Sequence, residues 1–332
     1  MDKTKLYKTY NIIIQSVIII AALWFLYDAF NEKDIFSYED LLIDYFSRSD
    51  FLWAFMMVVA LMPVNWGIEA QKWRYIVETR EEISFWRAAK GVLAGASVSS
   101  LSPNRVGDFL GRVFVLKKTR FLQGTFITLI GSYAQTLVSF VFGFIAIIYL
   151  LLQHSLWEEK YFILLQIIGI LLIIVLLFLY YRISVLAQIV PKKWKRISEY
   201  IQVFSSYKYT ELSIILAYSI LRYLVFSSQF VLLLWAVGFH ISIVQLYILV
   251  SSIFFLNMLR PSIALLEFVI RGAISITVFR FYADYIMPGL KFDDAQVFIA
   301  STLIWLVNII LPAIIGLIFI KDLRFFKSTR KS

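Results

Sequence analysis

Residues 102–112 read Ser-Pro-Asn-Arg-Val-Gly-Asp-Phe-Leu-Gly-Arg and place charges inside a long run of otherwise apolar sequence. After a second proline, the carboxylate, phenylalanine and arginine recur 159 residues later, where Glu267 and Arg271 take the places of Asp108 and Arg112. In both copies the arginine follows the carboxylate by four residues, so on a helix the two side chains share one face. An offset of nearly half the chain indicates an internal repeat.

The composition is that of a membrane protein with several spans. Of the 332 residues, 61% are apolar and 16% are charged, a balance that a water-soluble domain of this size does not need. The net charge is +10, but the basic residues lie in short segments between apolar runs, which argues against nucleic-acid binding. The chain has no cysteine, which excludes disulfides, zinc–thiolate sites and cysteine nucleophiles.

Six apolar runs are long enough to cross the hydrocarbon layer of a bilayer, which takes about 20 helical residues. The first run follows three lysines but lacks a small-residue cleavage site, so we interpret it as an uncleaved span rather than a signal peptide. The six predicted spans are Asn11–Tyr27, Phe51–Ile68, Gly124–Leu152, Tyr161–Tyr181, Leu212–Ile241 and Ala295–Ile320.

Two further apolar regions, Gly91–Leu116 and Ile243–Phe281, are interrupted by a proline with polar and charged neighbours. Proline removes a backbone donor and disfavours helix at the residue before it. We therefore predict a re-entrant hairpin or a pair of broken helices in each region. Membranes tolerate such a backbone only where protein or water covers it.

The distribution of Lys and Arg predicts the orientation of the spans. With a cytoplasmic N-terminus, the inside segments hold 22 basic residues and the outside segments hold 4. This bias is expected because cytoplasmic loops carry the positive charge. The C-terminus is then cytoplasmic too, and the two broken regions enter the membrane from opposite sides.

These features predict an all-α polytopic membrane protein with six full spans and two broken or re-entrant helical hairpins. Residues 1–160 and 161–332 form the two halves of an inverted repeat, each with three spans and one hairpin. Inverted repeats with broken helices are typical of transporters, which bind their substrate near the midplane where the repeats meet. Chance similarity between apolar segments is the alternative interpretation.

Six charged side chains in or beside the apolar runs are the candidate substrate-binding residues. A charge at the centre of a membrane helix costs about 2.5–3.5 kcal/mol even on insertion scales, so these side chains face the protein interior. Arginine suits an anionic head group because guanidinium binds phosphate through two hydrogen bonds and stays charged. In the alternative interpretation, the acid–arginine pairs only hold the hairpins together. The candidates are Arg105, Asp108, Arg112, Arg222, Glu267 and Arg271.

Features that indicate catalysis are weaker. The two histidines, His154 and His240, lie at the ends of different spans, so we predict no metal site and no nucleophile–base pair. The acidic segment Asp28–Asp50 would supply a general base to a membrane transferase with a lipid-phosphate donor, but a solvated acidic loop needs no such role. We expect no cofactor and no enzymatic activity.

Three short motifs resemble those of a known family. Residues 72–74 read Lys-Trp-Arg after an early span, residues 103–108 read Pro-Asn-Arg-Val-Gly-Asp, and residues 261–267 begin with Pro and end with Glu. Their order resembles the flippase-like family that includes the transmembrane domain of lysylphosphatidylglycerol synthases, over about Phe51 to Ile320. Two features depart from that family: residues 262–266 lack the glycines usual in the second motif, and we expect no soluble aminoacyl-transferase domain after the sixth span.

The resemblance implies an integral membrane flippase that translocates an anionic or phosphate-bearing lipid, glycolipid or polyprenyl-phosphate-linked head group across the cytoplasmic membrane of a prokaryote. We do not expect ATP to drive it, because the sequence holds no nucleotide-binding motif. A membrane-embedded transferase and a non-transporting subunit of an envelope-synthesis complex are the alternatives. The expected partners are a membrane lipid and a separate lipid-synthesising enzyme.

Overall fold

The computed structural model describes residues 39–100, 107–117, 119, 121–153, 159–182, 206–259 and 267–320, together with the single positions 13, 16, 17 and 20. Within these residues every regular element is a helix. The elements in chain order are α1 (Glu39–Ser47), α2 (Ser49–Glu78), α3 (Phe85–Ser99), α4 (Gly107–Val113), α5 (Phe121–Leu152), α6 (Glu159–Tyr181), α7 (Tyr209–Ala236), α8 (Ile243–Leu259), α9 (Glu267–Tyr285), α10 (Asp294–Trp305), a π-helical turn π1 (Leu306–Ile310) and α11 (Leu311–Ile320).

Five helical segments in the described part of the chain are long and apolar enough to cross a membrane. They are α2, α5, α6, α7 and the continuous run from α10 through π1 to α11. These segments coincide with five of the six predicted spans, so the chain is an all-α polytopic membrane protein. The remaining predicted span, Asn11–Tyr27, lies outside the described residues except for four positions, which are helical.

Two of these helices differ from the predicted bounds. α2 continues past the predicted end at Ile68 to Glu78, and other helices bury Lys72, Trp73, Ile76 and Val77 in this extension. α7 ends at Ala236 and not at Ile241. The helix stops there because Gly238 adopts a φ of +113° and Phe239 N–H donates to the Leu234 carbonyl at 3.0 Å, a glycine C-cap.

The first broken region is a pair of short helices, α3 and α4, which begins at Phe85, before the predicted start at Gly91. The two helices touch backbone to backbone, since a Cβ on Gly111 would lie 2.3 Å from the Cα of Gly95. Only glycine permits so close an approach. The predicted break at 102–105 lies outside the described residues.

Glu81, between α2 and α3, ties the two ends of this region together. Its buried carboxylate accepts hydrogen bonds from the backbone N–H groups of Lys117 (2.9 Å) and Thr119 (3.1 Å) and from Arg87 Nη2 (3.0 Å). Arg87 Nη2 also donates to the Val115 carbonyl at 2.6 Å. These bonds hold the chain that leaves α4 beside the chain that enters α3, and so fix α4 next to α2.

The second broken region consists of α8 and α9, which pack against each other. α9 continues to Tyr285, beyond the predicted end at Phe281. The predicted break at 260–262 lies outside the described residues. α8 also packs along α5, so this region is enclosed by protein on more than one side.

α2 and α7 are the central helices, because both contribute to each of two hydrophobic clusters. One cluster joins them to α8, α9 and α10 and uses residues such as Val58 and Leu234. The other joins them to α3, α5 and α6 and uses residues such as Trp73 and Ile215. Between the two clusters both helices carry polar residues, and this level holds the candidate site.

Candidate functional site

Glu69 is the centre of a buried network of charged side chains. It lies on α2 and is 3% exposed. One carboxylate oxygen, Oε1, lies 2.6 Å from Arg112 Nη1. The other, Oε2, lies 2.8 Å from Lys72 Nζ and 3.1 Å from Arg222 Nη1. A single carboxylate therefore joins three cations.

Three helices bring these side chains together. Glu69 and Lys72 are three residues apart on α2, a spacing that puts them on one helix face. Arg112 comes from α4, whose place beside α2 is set by the Gly95–Gly111 contact and by the bonds to Glu81. Arg222 comes from α7, which packs along α2.

Arg112 also forms the predicted pair with Asp108, one turn earlier on α4. Its Nε donates to Asp108 Oδ1 at 2.9 Å and its Nη2 lies 2.7 Å from Oδ2. Guanidinium and carboxylate thus meet through two parallel bonds, the strongest geometry for such a pair. Arg112 is 6% exposed, and each of its three guanidinium nitrogens meets a carboxylate oxygen of Asp108 or Glu69. The predicted contact within the helix is confirmed, but Glu69 makes it part of a larger network.

Lys72 lies deeper than its sequence position indicated. The Lys-Trp-Arg motif that begins with Lys72 lies within α2, and Lys72 is 1% exposed. It is buried because α5 and α7 pack over this turn of α2. Besides Glu69, its ammonium nitrogen lies 3.4 Å from Ser219 Oγ, 3.4 Å from the Gly131 carbonyl and 3.5 Å from Gln135 Oε1.

Arg222 is the most accessible cation of the network, with 23% of its side chain exposed. Its guanidinium carbon lies 5.5 Å from the centre of the Trp66 ring, within the range of a cation–π contact. Its Nε is buried and has no hydrogen-bond partner among the described residues. Arg222 therefore has hydrogen-bonding capacity beyond the bond that it makes to Glu69.

The network carries more positive than negative charge. Two carboxylates, Glu69 and Asp108, face three cations, Lys72, Arg112 and Arg222. An uncompensated charge inside a membrane protein is costly, so the fifth charge favours an anion as its partner. Asp108, 21% exposed, and Arg222 form the accessible edge, whereas the other three side chains form the closed interior.

The other predicted site residues do not join this network among the described residues. Arg105 and the side chain of Glu267 lie outside the described part of the chain, so the second predicted acid–arginine pair stays a prediction. Arg271, on α9, lines a narrow cleft whose walls include Phe226, Phe254 and Trp305. The structure therefore unites three of the six predicted residues: Asp108, Arg112 and Arg222.

Glu69 and Lys72 were missed as site residues. Their signal was a carboxylate and an ammonium three residues apart directly after an apolar run, which is costly in a membrane unless both are paired. Among the described residues, no three His, Cys, Asp or Glu side chains are grouped as metal ligands would be. The described network is suited to binding an anion.

Comparison with known proteins gives one match. The model of the family described as lysylphosphatidylglycerol synthase TM region matches residues 12–316. Neither the curated proteins nor the solved structures include a significant match. The family match covers most of the chain, including every residue of the Glu69 network. The chain therefore belongs to the lysylphosphatidylglycerol synthase transmembrane-region family, whose members are membrane proteins related to lipid modification or translocation.

Proposed function

We propose that the protein is a flippase that binds the anionic head group of a lipid at the Glu69 network and moves it across the membrane without ATP. The observation that carries the proposal is the excess positive charge of five side chains held between the two hydrophobic clusters. A charged head group cannot cross hydrocarbon without compensation. A buried cationic network supplies that compensation while the lipid chains stay in the bilayer.

In this proposal Arg222 contacts the head group first. It is partly exposed, its Nε is unused, and its single bond to Glu69 leaves the other donors of the fork available. A phosphate accepts two parallel bonds from such a fork. The position and charge of Arg222 are maintained by Glu69 together with Arg112 and Lys72. Asp108 in turn keeps Arg112 oriented.

The proposed inverted repeat is supported by the helix bounds. The first residues of α7, α8 and α9 come 160, 158 and 160 residues after those of α2, α3 and α4, close to the offset of 159 between the two acid–arginine motifs. The repeat is not symmetric in charge. At an offset of 159, Glu69 corresponds to Ser228 and Lys72 to Val231, so we propose that the first half supplies most of the head-group site.

We also propose a prokaryotic cytoplasmic membrane with both termini on the cytoplasmic side and the α3–α4 and α8–α9 pairs as hairpins of opposite sidedness. Lys72 is buried, but the asymmetry remains: without it, 21 basic residues lie in inside segments and 4 outside.

Cysteine labelling tests this orientation. Cysteines at Ser198 and Ser328 are expected to be labelled only from the cytoplasm, and those at Ser37 and Ser155 only from outside. Cytoplasmic labelling of the Ser155 variant would contradict the inverted repeat.

Purified protein in liposomes tests the proposed function. Phosphatidylglycerol with a fluorescent acyl chain is placed in one leaflet, and its arrival in the other is followed with a membrane-impermeant quencher. We expect protein-dependent movement of this lipid with unchanged mass. A changed mass would instead identify the membrane-embedded transferase, and no movement of any anionic lipid tested would refute the flippase proposal.

Two arginine variants test whether that activity depends on the Glu69 network. Arg222→Gln removes one charge-assisted bond and the excess charge, which corresponds to a roughly tenfold or greater loss of transport. Arg48→Gln is the control, because Arg48 pairs with Asp50 at 2.8 Å on the exposed surface. Equal transport by both variants would place the head-group site elsewhere.

A further inference from the structure

Four oxygen atoms from three helices surround the ammonium group of Lys72. They are Glu69 Oε2 from α2 at 2.8 Å, the Gly131 carbonyl and Gln135 Oε1 from α5 at 3.4 and 3.5 Å, and Ser219 Oγ from α7 at 3.4 Å. Lys72 is 1% exposed and Ser219 is fully buried. These atoms therefore form an oxygen cage around the ammonium group, buried at Glu69 and Ser219 and partly exposed at Gln135.

The cage is oriented by bonds that do not involve Lys72. Ser219 Oγ donates its proton to the Ile215 carbonyl at 3.0 Å, which leaves its lone pairs for the centre of the cage. Gln135 Nε2 donates to the Ser219 carbonyl at 3.4 Å, which directs Oε1 towards the same point. The oxygens are thus held in place by the packing of α5 against α7 and not by the lysine alone.

A carboxylate, a carbonyl, an amide oxygen and a hydroxyl are the ligands that proteins use for hard cations, and membrane transporters place such oxygens around a coupling ion. Only one of these ligands is charged, and Glu69 already faces Arg112 and Arg222. A cage with a single charged ligand favours a monovalent cation over a divalent one. We propose that it is a monovalent-cation site that the chain fills permanently with the ammonium group of its own Lys72.

Because Lys72 fills the cage, the wild-type protein binds no external cation at this position. Insofar as the flippase function proposed above holds, transport then proceeds without coupling to a cation in this cage. Truncation of the lysine opens the cage, because Lys72→Ala removes the ammonium and most of its stem but leaves all four oxygens. A small monovalent cation such as potassium, ammonium or methylammonium then takes the empty place.

The test is thermal unfolding of the purified protein in detergent, with choline, sodium, potassium or methylammonium chloride at equal ionic strength. Wild type and the exposed-lysine control Lys208→Ala are expected to unfold at temperatures that do not depend on the cation. In choline, which is too large for the cage, Lys72→Ala is expected to unfold at a lower temperature than wild type. A saturable rise of roughly 2–4 °C is expected in potassium or methylammonium, from binding of the ion to the folded state.

Lys72→Met provides the matched variant, since methionine fills the space of the lysine stem without charge. It is expected to show no response to the choice of cation. A Lys72→Ala protein that binds no small cation better than choline would overturn the proposal, as would a Lys72→Met protein with the same response as Lys72→Ala.

Wild-type protein provides a test that does not depend on the folding of any variant. A saturable stabilisation of wild type that is specific to potassium or sodium over choline would show that Lys72 does not fill the cage and would overturn the proposal. Insensitivity of wild type supports it. The unfolding measurements use no lipid transport, so failure of the flippase proposal and failure of the cation site give different results.

Discussion

Replacement of Glu69 by glutamine removes the one carboxylate that three cations share. The substitution keeps the shape of the side chain but leaves Lys72, Arg112 and Arg222 with Asp108 as their only negative neighbour in the network. The charge of the network rises by one, inside a region where Glu69 is 3% exposed. Lys72 and Arg222 both lose an ionic contact with Oε2.

The size of the effect follows from burial. Removing one partner of a buried ion pair costs about 3–5 kcal/mol, because the remaining charge stays desolvated without compensation. One kcal/mol lowers the unfolding temperature of a protein of 332 residues by about 1.4 °C, so we expect a fall of roughly 4–7 °C for Glu69→Gln. The measurement is thermal unfolding in detergent, followed by a fluorescence or aggregation signal.

Glu78→Gln is the control on the same helix. Glu78 pairs with Arg74 at 3.8 Å, and 47% of its side chain is exposed, so its loss costs about 0–1 kcal/mol. The double variant Glu69→Gln/Lys72→Met restores the original excess of one positive charge and is expected to recover part of the lost stability. Equal unfolding temperatures for Glu69→Gln and Glu78→Gln would refute the central role of Glu69.

Three further substitutions test the packing and the chemistry of the site. Gly111→Ala brings a Cβ within 2.3 Å of backbone atoms and should cost about 1–3 kcal/mol of stability. Gly67→Ala is the control, because its Cβ would lie 3.9 Å from Phe85 Cζ, and it should be neutral or slightly stabilising in the same unfolding assay. Asn308→Leu strands the buried amide donor of Asn65, which bonds to Asn308 Oδ1 at 2.8 Å, and should cost about 1–3 kcal/mol; leucine at both positions should recover most of it, and failure to do so would mean that the pair has another role. Arg222→Lys keeps the charge but not the planar fork, so transport in liposomes should remain well below wild type, and full activity would show that only the charge matters.

The membrane class and most of the spans could be predicted from the sequence, because an apolar run of about 20 residues is typical of a transmembrane helix. The π-helical turn π1 and the exact ends of α2 and α7 could not. α2 continues through Lys72 and Trp73 because other helices bury those residues, and burial is not visible in a local window of sequence. The glycine at 238 was the only local sign that α7 stops early.

For the site, the sequence by itself determined the contacts between residues that lie close together on one helix. Asp108 and Arg112 are four residues apart, so their contact follows from helix geometry alone, and the cost of Arg222 inside a span required that it be paired. Only the tertiary structure decided the partner. Glu69 lies 43 residues from Arg112 and meets it, Arg222 and the oxygens around Lys72 because α2, α4, α5 and α7 pack at one level between two hydrophobic clusters. Such contacts depend on how helices pack against one another, which no spacing within a single helix encodes.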